Sequence, residues 1–132
     1  MNQKIAIASS DAPTPFSAGH YSPAIIAGGL VFVSGQGPIL PDTKKILRGS
    51  VAEQAELTID NLSALLTAAG SDLTRIVKAT IYLSDLADWG IVDQIWGERV
   101  GGIRPARSTV GVSLLAGMDV EIDVIAFGAS TE

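Results

Sequence analysis

The sequence predicts a single α+β domain in which a mixed β-sheet carries two helices on one face. Short apolar segments bounded by glycine are typical of strands, and two longer segments show helical periodicity and fall between strands. The predicted order of elements is βββαβαββ. With 132 residues, of which 47% are hydrophobic, the chain is long enough for one domain, spanning 1–132, with a substantial core.

The first three strands come early in the chain. A short strand at Ile5 leads into a loop rich in Ser, Pro and Ala. Ala24–Ala27 and Leu30–Ser34 are joined at Gly28-Gly29, a pair suited to a hairpin turn. Because the segment from Leu30 is nearly all apolar, we expect it to be buried on both faces.

The first helix has clear boundaries. Ser50 and Glu53 are spaced as a capping box, and Gly70 is placed as a C-cap. Apolar residues follow at helical spacing, at Val51, Ala55, Ile59, Leu62, Leu66 and Ala69. We expect the later elements to be a strand at Leu73–Ser84, a helix from Asp85 to about Val100, and strands at Arg107–Leu115 and Asp119–Phe127.

The last two strands are predicted to form a hairpin through Gly117. Both tryptophans, Trp89 and Trp96, are expected to pack in the core. A single layer of helices would leave the other sheet face uncovered, and self-association is the usual way of burying such a face.

Composition excludes several classes of function. The net charge of −5, with no strong basic patch, argues against a nucleic-acid partner. The chain has no cysteine, which excludes disulfides and thiol catalysis, and its one histidine argues against a zinc site. No signal peptide or membrane-spanning run is apparent, so we expect a cytoplasmic protein without a membrane partner.

Arg107 and Glu121 are the leading candidates for chemistry. An arginine at a strand end can hold a carboxylate through two parallel hydrogen bonds, although a surface arginine is the commoner case. A glutamate on a half-apolar strand face can activate water, although a solvated edge position is again the plainer interpretation. In the predicted hairpin these residues would be about 20 Å apart, so a shared site would need a neighbouring subunit.

Three further residues could frame a polar site. The hydroxyl of Tyr21 could bond a substrate or simply anchor its loop. Ser34 and Gly35, at a strand end, could offer backbone N–H groups to an anion. Ser34 has no neighbouring base and is not predicted to be a nucleophile.

Several motifs in this order resemble the Rid (YjgF-type) family over nearly the whole chain. They are GHYSPA, LVFVSGQGPI, LLTAAGSDLTRIVKATIYLSDLADW, RPARSTV and VEIDVIA. The resemblance implies a chorismate-mutase-like fold, a homotrimer, and clefts between subunits that deaminate 2-imino acids to 2-keto acids without a cofactor or metal.

The family's functional positions fall on matching residue types here. The resemblance places the arginine at Arg107, the glutamate at Glu121 and the pocket tyrosine at Tyr21, with Ser34 and Gly35 lining the site. There are two departures: Thr109 stands where cysteine is common, and Asp93 stands in place of an asparagine in a segment that is also shortened. Both departures fall on predicted substrate-binding positions.

Two other functions remain open from the sequence. The chain could be a hydrolase for another enamine or acylated amine, or a non-catalytic protein that binds small carboxylates. Activity on such compounds alone would favour the first, and carboxylate binding without turnover would favour the second.

Overall fold

The computed structural model describes residues 3–7 and 19–128. They form one six-stranded mixed sheet and two α-helices, as predicted. The strands are β1 (Ile5–Ile7), β2 (Ala24–Ala27), β3 (Leu30–Gln36), β4 (Ile76–Leu83), β5 (Ala106–Gly111) and β6 (Val120–Phe127), and the helices are α1 (Val51–Ala68) and α2 (Trp89–Val100). Short 3-10 turns at Leu73–Arg75 and Leu86–Asp88 take the place of the N-terminal residues of the predicted fourth strand and of the predicted second helix.

The order of strands across the sheet is β1-β2-β3-β6-β4-β5. The predicted hairpin of β2 and β3 is confirmed, with positive φ at Gly28 and Gly29 in its turn. The predicted hairpin of the last two strands is wrong. β4 lies between them, antiparallel to β6 and parallel to β5. The connection through Gly117 therefore crosses β4, and β5 becomes an edge strand.

The first helix begins and ends as predicted. The Ser50 side chain accepts from the Glu53 backbone N–H at 3.1 Å, and the Glu53 carboxylate accepts from the Ser50 N–H at 3.0 Å. Gly70 adopts a φ of 78° directly after the helix. The helix buries Ile59, Leu62 and Leu66 completely.

One face of the sheet carries the core. Along β6, Val120, Ile122, Val124 and Ala126 are buried, and the side chains of both helices complete the same cluster. Trp96 belongs to this core, but the prediction for Trp89 is wrong because it is 46% exposed. It begins α2 at the rim of the sheet, where its ring lies against Arg107.

The other face is not covered by any described helix. Phe32 on β3 is 41% exposed and Phe127 on β6 is 55% exposed. The prediction that the β3 segment is buried on both faces is therefore wrong: its side chains alternate between the core and the uncovered face. We call the face carrying Phe32, Ile125 and Phe127 the bare face.

Candidate active site

The predicted site residues separate into two groups on opposite faces of the sheet. In the register of the parallel pair, Arg107 lies beside Ala79 and Thr109 lies beside Ile81, both core residues. In the antiparallel pair, Glu121 lies beside Tyr82 on the bare face. Paired residues point to the same side of a sheet, so Arg107 faces the helices and Glu121 faces away from them.

Arg107 is held by three contacts. Its Nε donates to Thr109 Oγ1 at 3.1 Å, and one terminal nitrogen donates to Asp93 Oδ1 at 2.8 Å. Its guanidinium carbon lies 5.5 Å from the centroid of the Trp89 ring, within the range of a cation–π contact. The Arg107 side chain is 16% exposed and the Asp93 side chain 44% exposed. The guanidinium is thus oriented but still reachable.

The free edge of β5 adds backbone donors beside this arginine. The Val112 N–H donates to the Leu83 carbonyl of β4 at 2.9 Å. Because peptide groups alternate along a strand, the N–H of Thr109 is directed to the other side, which is the unpaired edge. A carboxylate on Arg107 can therefore also accept from the Thr109 backbone. The predicted role of Thr109 is compatible with this geometry.

An open groove of about 700 Å³ adjoins Arg107. It runs between the C-terminal half of α2 and the segment 101–105, with Trp96 and Val100 among its apolar lining residues. Asp93 and Arg107, which are hydrogen-bonded to each other, both line this groove. A small ligand can therefore reach the guanidinium from solvent.

Glu121 forms the centre of the second group. Its carboxylate lies over Gly35, so closely that a Cβ built at Gly35 would collide with Glu121 Oε2. A larger residue at position 35 would displace the carboxylate, which explains the glycine. Burial raises the pKa of Glu121 above its ordinary value, and the negative charge of Asp123 raises it further. Within the described chain, no donor bonds the Glu121 carboxylate, so it can accept from a water or a substrate.

Asp123 is engaged separately on the same face. Tyr82 donates its hydroxyl to Asp123 Oδ2 at 2.7 Å. This bond to Asp123 is the main reason that the pKa of Tyr82 is raised, and burial adds to it. Of the two β6 carboxylates, Asp123 is thus occupied by a tyrosine, whereas Glu121 is available.

Ser34 ties the Tyr21 loop to the Glu121 group. The register of β3 against β6 shifts between Val33 and Gln36, and this irregularity contains Ser34 and Gly35. The Ser34 hydroxyl donates to the Ser22 carbonyl at 2.7 Å. Tyr21, next to Ser22, is 54% exposed. The structure therefore groups Glu121, Gly35, Ser34 and the Tyr21 loop, but not with Arg107.

Sequence reasoning missed one residue of the arginine group. Trp89 was assigned to the core from the apolar periodicity of α2, although its position at the first turn, next to the edge strand, leaves it at the rim. Within residues 3–7 and 19–128, no cluster of three or more His, Asp or Glu side chains is placed to hold a metal ion. Within the same ranges, no helix is both long and apolar enough to cross a membrane.

Comparisons with known proteins agree with this architecture. The model of the family described as endoribonuclease L-PSP matches residues 11–127. The 2-iminobutanoate/2-iminopropanoate deaminase of Rattus norvegicus is 37% identical over 118 residues, covering 89% of this chain and 86% of the rat protein. A Yersinia pestis protein of the conserved Rid family, YyfA, superposes with a TM-score of 0.89 at 37% identity, over 95% of this chain and 99% of that one.

Escherichia coli TdcF, solved with bound serine, superposes with a TM-score of 0.83 at 32% identity, over 96% of this chain and all of that one (100%). The family match spans nearly all of the chain, including Tyr21, Ser34, Gly35, Asp93, Arg107, Thr109 and Glu121. The chain belongs to the Rid (YjgF, L-PSP) family.

Proposed function

We propose that this protein hydrolyses 2-imino acids, or the enamines in equilibrium with them, to 2-keto acids and ammonia. The observation that carries the proposal is the Arg107 guanidinium, aligned by Thr109 and Trp89 and reachable from a groove. The planar guanidinium can donate two parallel hydrogen bonds to a small carboxylate. The rat deaminase supports the choice of reaction.

Arg107 would bind the substrate carboxylate and fix the position of the adjacent carbon. A 2-iminium carbon is already electrophilic, so the remaining task is to deliver water. Glu121 would take a proton from that water as its oxygen bonds to the carbon, and would return it to the nitrogen. The carbon–nitrogen bond then breaks as the new hydroxyl gives its proton to Glu121, which forms the 2-keto acid and releases ammonia, and that proton passes on to the ammonia to give ammonium. Neither a cofactor nor a metal takes part in this sequence.

We further propose that each site is completed by a second copy of the chain. Arg107 and Glu121 lie on opposite faces of the sheet, so one chain cannot bring both to one small molecule. The bare face contains exposed Phe32 and Phe127, which favours burial against another copy. A homotrimer, implied by the resemblance, would cover this face and place the Glu121 group of one subunit beside the Arg107 group of the next.

A test of the reaction uses 2-iminopropionate and 2-iminobutyrate generated in situ by an amino-acid oxidase with catalase. Surviving imine is trapped with semicarbazide. We expect wild type to lower the trapped signal and Arg107→Ala to lose at least about 100-fold in kcat/KM, because two charge-assisted hydrogen bonds disappear. Lys45→Ala, which removes the same charge from an exposed loop, is the matched control and should retain activity.

The result also separates the alternatives. If wild type leaves the imine untouched but hydrolyses another enamine or acylated amine, the substrate is wrong. If it binds small carboxylates without turnover, the protein is a binding protein. The family description names an endoribonuclease, so degradation of RNA by the purified protein would contradict the prediction of no nucleic-acid partner.

A further inference from the structure

Asp93 stands beside the carboxylate-binding arginine, which is an unusual place for a second negative charge. Its Oδ1 accepts from a terminal nitrogen of Arg107 at 2.8 Å. A guanidinium has five N–H donors in a fixed fork. One is used by Thr109 and one by Asp93, so three remain for a ligand. A carboxylate that uses these three is held within a few ångströms of the Asp93 carboxylate.

This arrangement penalises an anion that carries no positive charge of its own. Two like charges about 5 Å apart repel measurably even at the high effective dielectric constant of a partly exposed site. The Asp93 side chain is 44% exposed, so the repulsion is screened but not removed. A 2-keto acid, with one carboxylate and a neutral carbonyl, has no positive charge to offset this repulsion.

A ligand with a cation next to its carboxylate experiences the opposite effect. In a 2-iminium acid the nitrogen is attached to the carbon that bears the carboxylate. When that carboxylate is on Arg107, the nitrogen is close enough to donate to Asp93, whose second oxygen bonds no donor among the described residues. The same carboxylate that repels the product therefore attracts the substrate.

We propose that Asp93 is a specificity-determining residue that makes the Arg107 site selective for zwitterionic ligands over simple carboxylates. The inference rests on the proposed function for its biological meaning: the site binds the protonated imine and releases the 2-keto acid once the nitrogen has left. Asparagine at this position would keep the hydrogen bond to Arg107 but would lose the selection by charge.

Two stable probes test this selectivity without requiring turnover. L-Alanine carries an ammonium beside its carboxylate, and pyruvate carries a neutral carbonyl there. Dissociation constants for both are measured by NMR titration of the intact protein, as wild type and as Asp93→Asn. Asp42→Asn is the control, since it makes the same exchange at an exposed loop position where the side chain accepts from the Thr43 backbone N–H.

We expect Asp93→Asn to bind pyruvate about four- to tenfold more tightly and alanine more weakly, so the alanine-to-pyruvate preference falls about tenfold or more. Asp42→Asn should leave that preference unchanged. A preference that is the same in Asp93→Asn and wild type, or equal weakening of both ligands, would show that Asp93 only positions Arg107 and would overturn the proposal.

The outcome is independent of the deaminase assay. If the preference falls in Asp93→Asn as expected but wild type does not hydrolyse 2-imino acids, the proposed reaction fails and the charge selection stands. If wild type deaminates 2-imino acids but the preference does not depend on Asp93, the selection fails and the reaction stands. In an active enzyme, pyruvate should inhibit Asp93→Asn correspondingly more strongly than wild type.

Discussion

The two faces of the sheet provide two different environments for the candidate site residues. On the helix side, Arg107 is fixed by Thr109, Asp93 and Trp89 within one chain. On the bare face, Glu121 lies over Gly35 with no described donor and an elevated pKa. In the proposed function the first group binds the substrate carboxylate, and the second supplies the base that activates water. Because the two groups lie on opposite faces of the sheet, the proposed reaction requires that the surfaces of two chains meet.

The largest expected effect comes from preventing the bare face from being covered. Phe32→Glu places a charge in the middle of this face, where Phe32 is 41% exposed. Because that side chain does not belong to the core, the chain should still fold, but self-association should be lost and deaminase activity with it.

Light scattering and circular dichroism measure assembly and folding of this variant. Ile91→Glu is the matched control, since Ile91 is 50% exposed on α2, on the helix side. It should remain assembled and active. A monomeric Phe32→Glu protein with full activity would contradict the requirement for a second chain.

Removal of the Glu121 charge should have the next largest effect. Because Glu121 is the proposed base, the Glu121→Gln variant is expected to have a kcat that is about 100-fold or more lower, with little change in KM. The carboxylate is destabilised by burial, so this variant should also melt at a higher temperature than wild type at pH 7.

The sign of the stability effect follows from the raised pKa of Glu121. Folding favours the protonated carboxyl, so its contribution to stability is greatest below the ordinary value of 4.5 and is lost as the pH rises through the raised pKa. The Tm difference between Glu121→Gln and wild type should therefore shrink as the pH is lowered towards 4.5. A difference that is constant with pH would exclude this explanation.

The smallest effect concerns Asp123. Its charge is the second cause of the raised pKa of Glu121, after burial. Asp123→Asn should consequently shift the acidic limb of the kcat profile to lower pH, while most of the elevation remains. Tyr82→Phe is the comparison variant, because it removes the hydroxyl that donates to Asp123 but leaves the negative charge of Asp123 in place. An acidic limb that does not move in Asp123→Asn would show that burial alone raises the pKa.

Local signals predicted the local parts of this fold. The capping box at Ser50 and the glycine pair at 28–29 are decided by neighbouring residues, and both were correct. The predicted pairing of the last strand with β5 was wrong. β4 lies between β5 and β6, and this arrangement depends on long-range pairing that no turn residue encodes. The separation of Arg107 from Glu121 was expected for the wrong reason: they lie on opposite faces, not far apart along a hairpin.

In the candidate site, too, local features could be predicted from the sequence and long-range contacts could not. Residue type and the resemblance to the family were sufficient to name Arg107, Glu121 and Thr109 as candidates. The contact between Asp93 and Arg107 could not be predicted, since it depends on how α2 packs beside the edge strand. The exposed position of Trp89 has the same origin.

Mixing two inactive variants tests the central claim most directly. Arg107→Ala and Glu121→Gln proteins are combined, dissociated, reassembled together and assayed for 2-iminopropionate hydrolysis. If each site takes Arg107 from one chain and Glu121 from another, random assembly restores about a quarter of the wild-type activity, because both contributing chains must retain the needed residue. If the mixture is no more active than its parents, both residues act within one chain or one of them does not act at all, and the two-chain site is wrong.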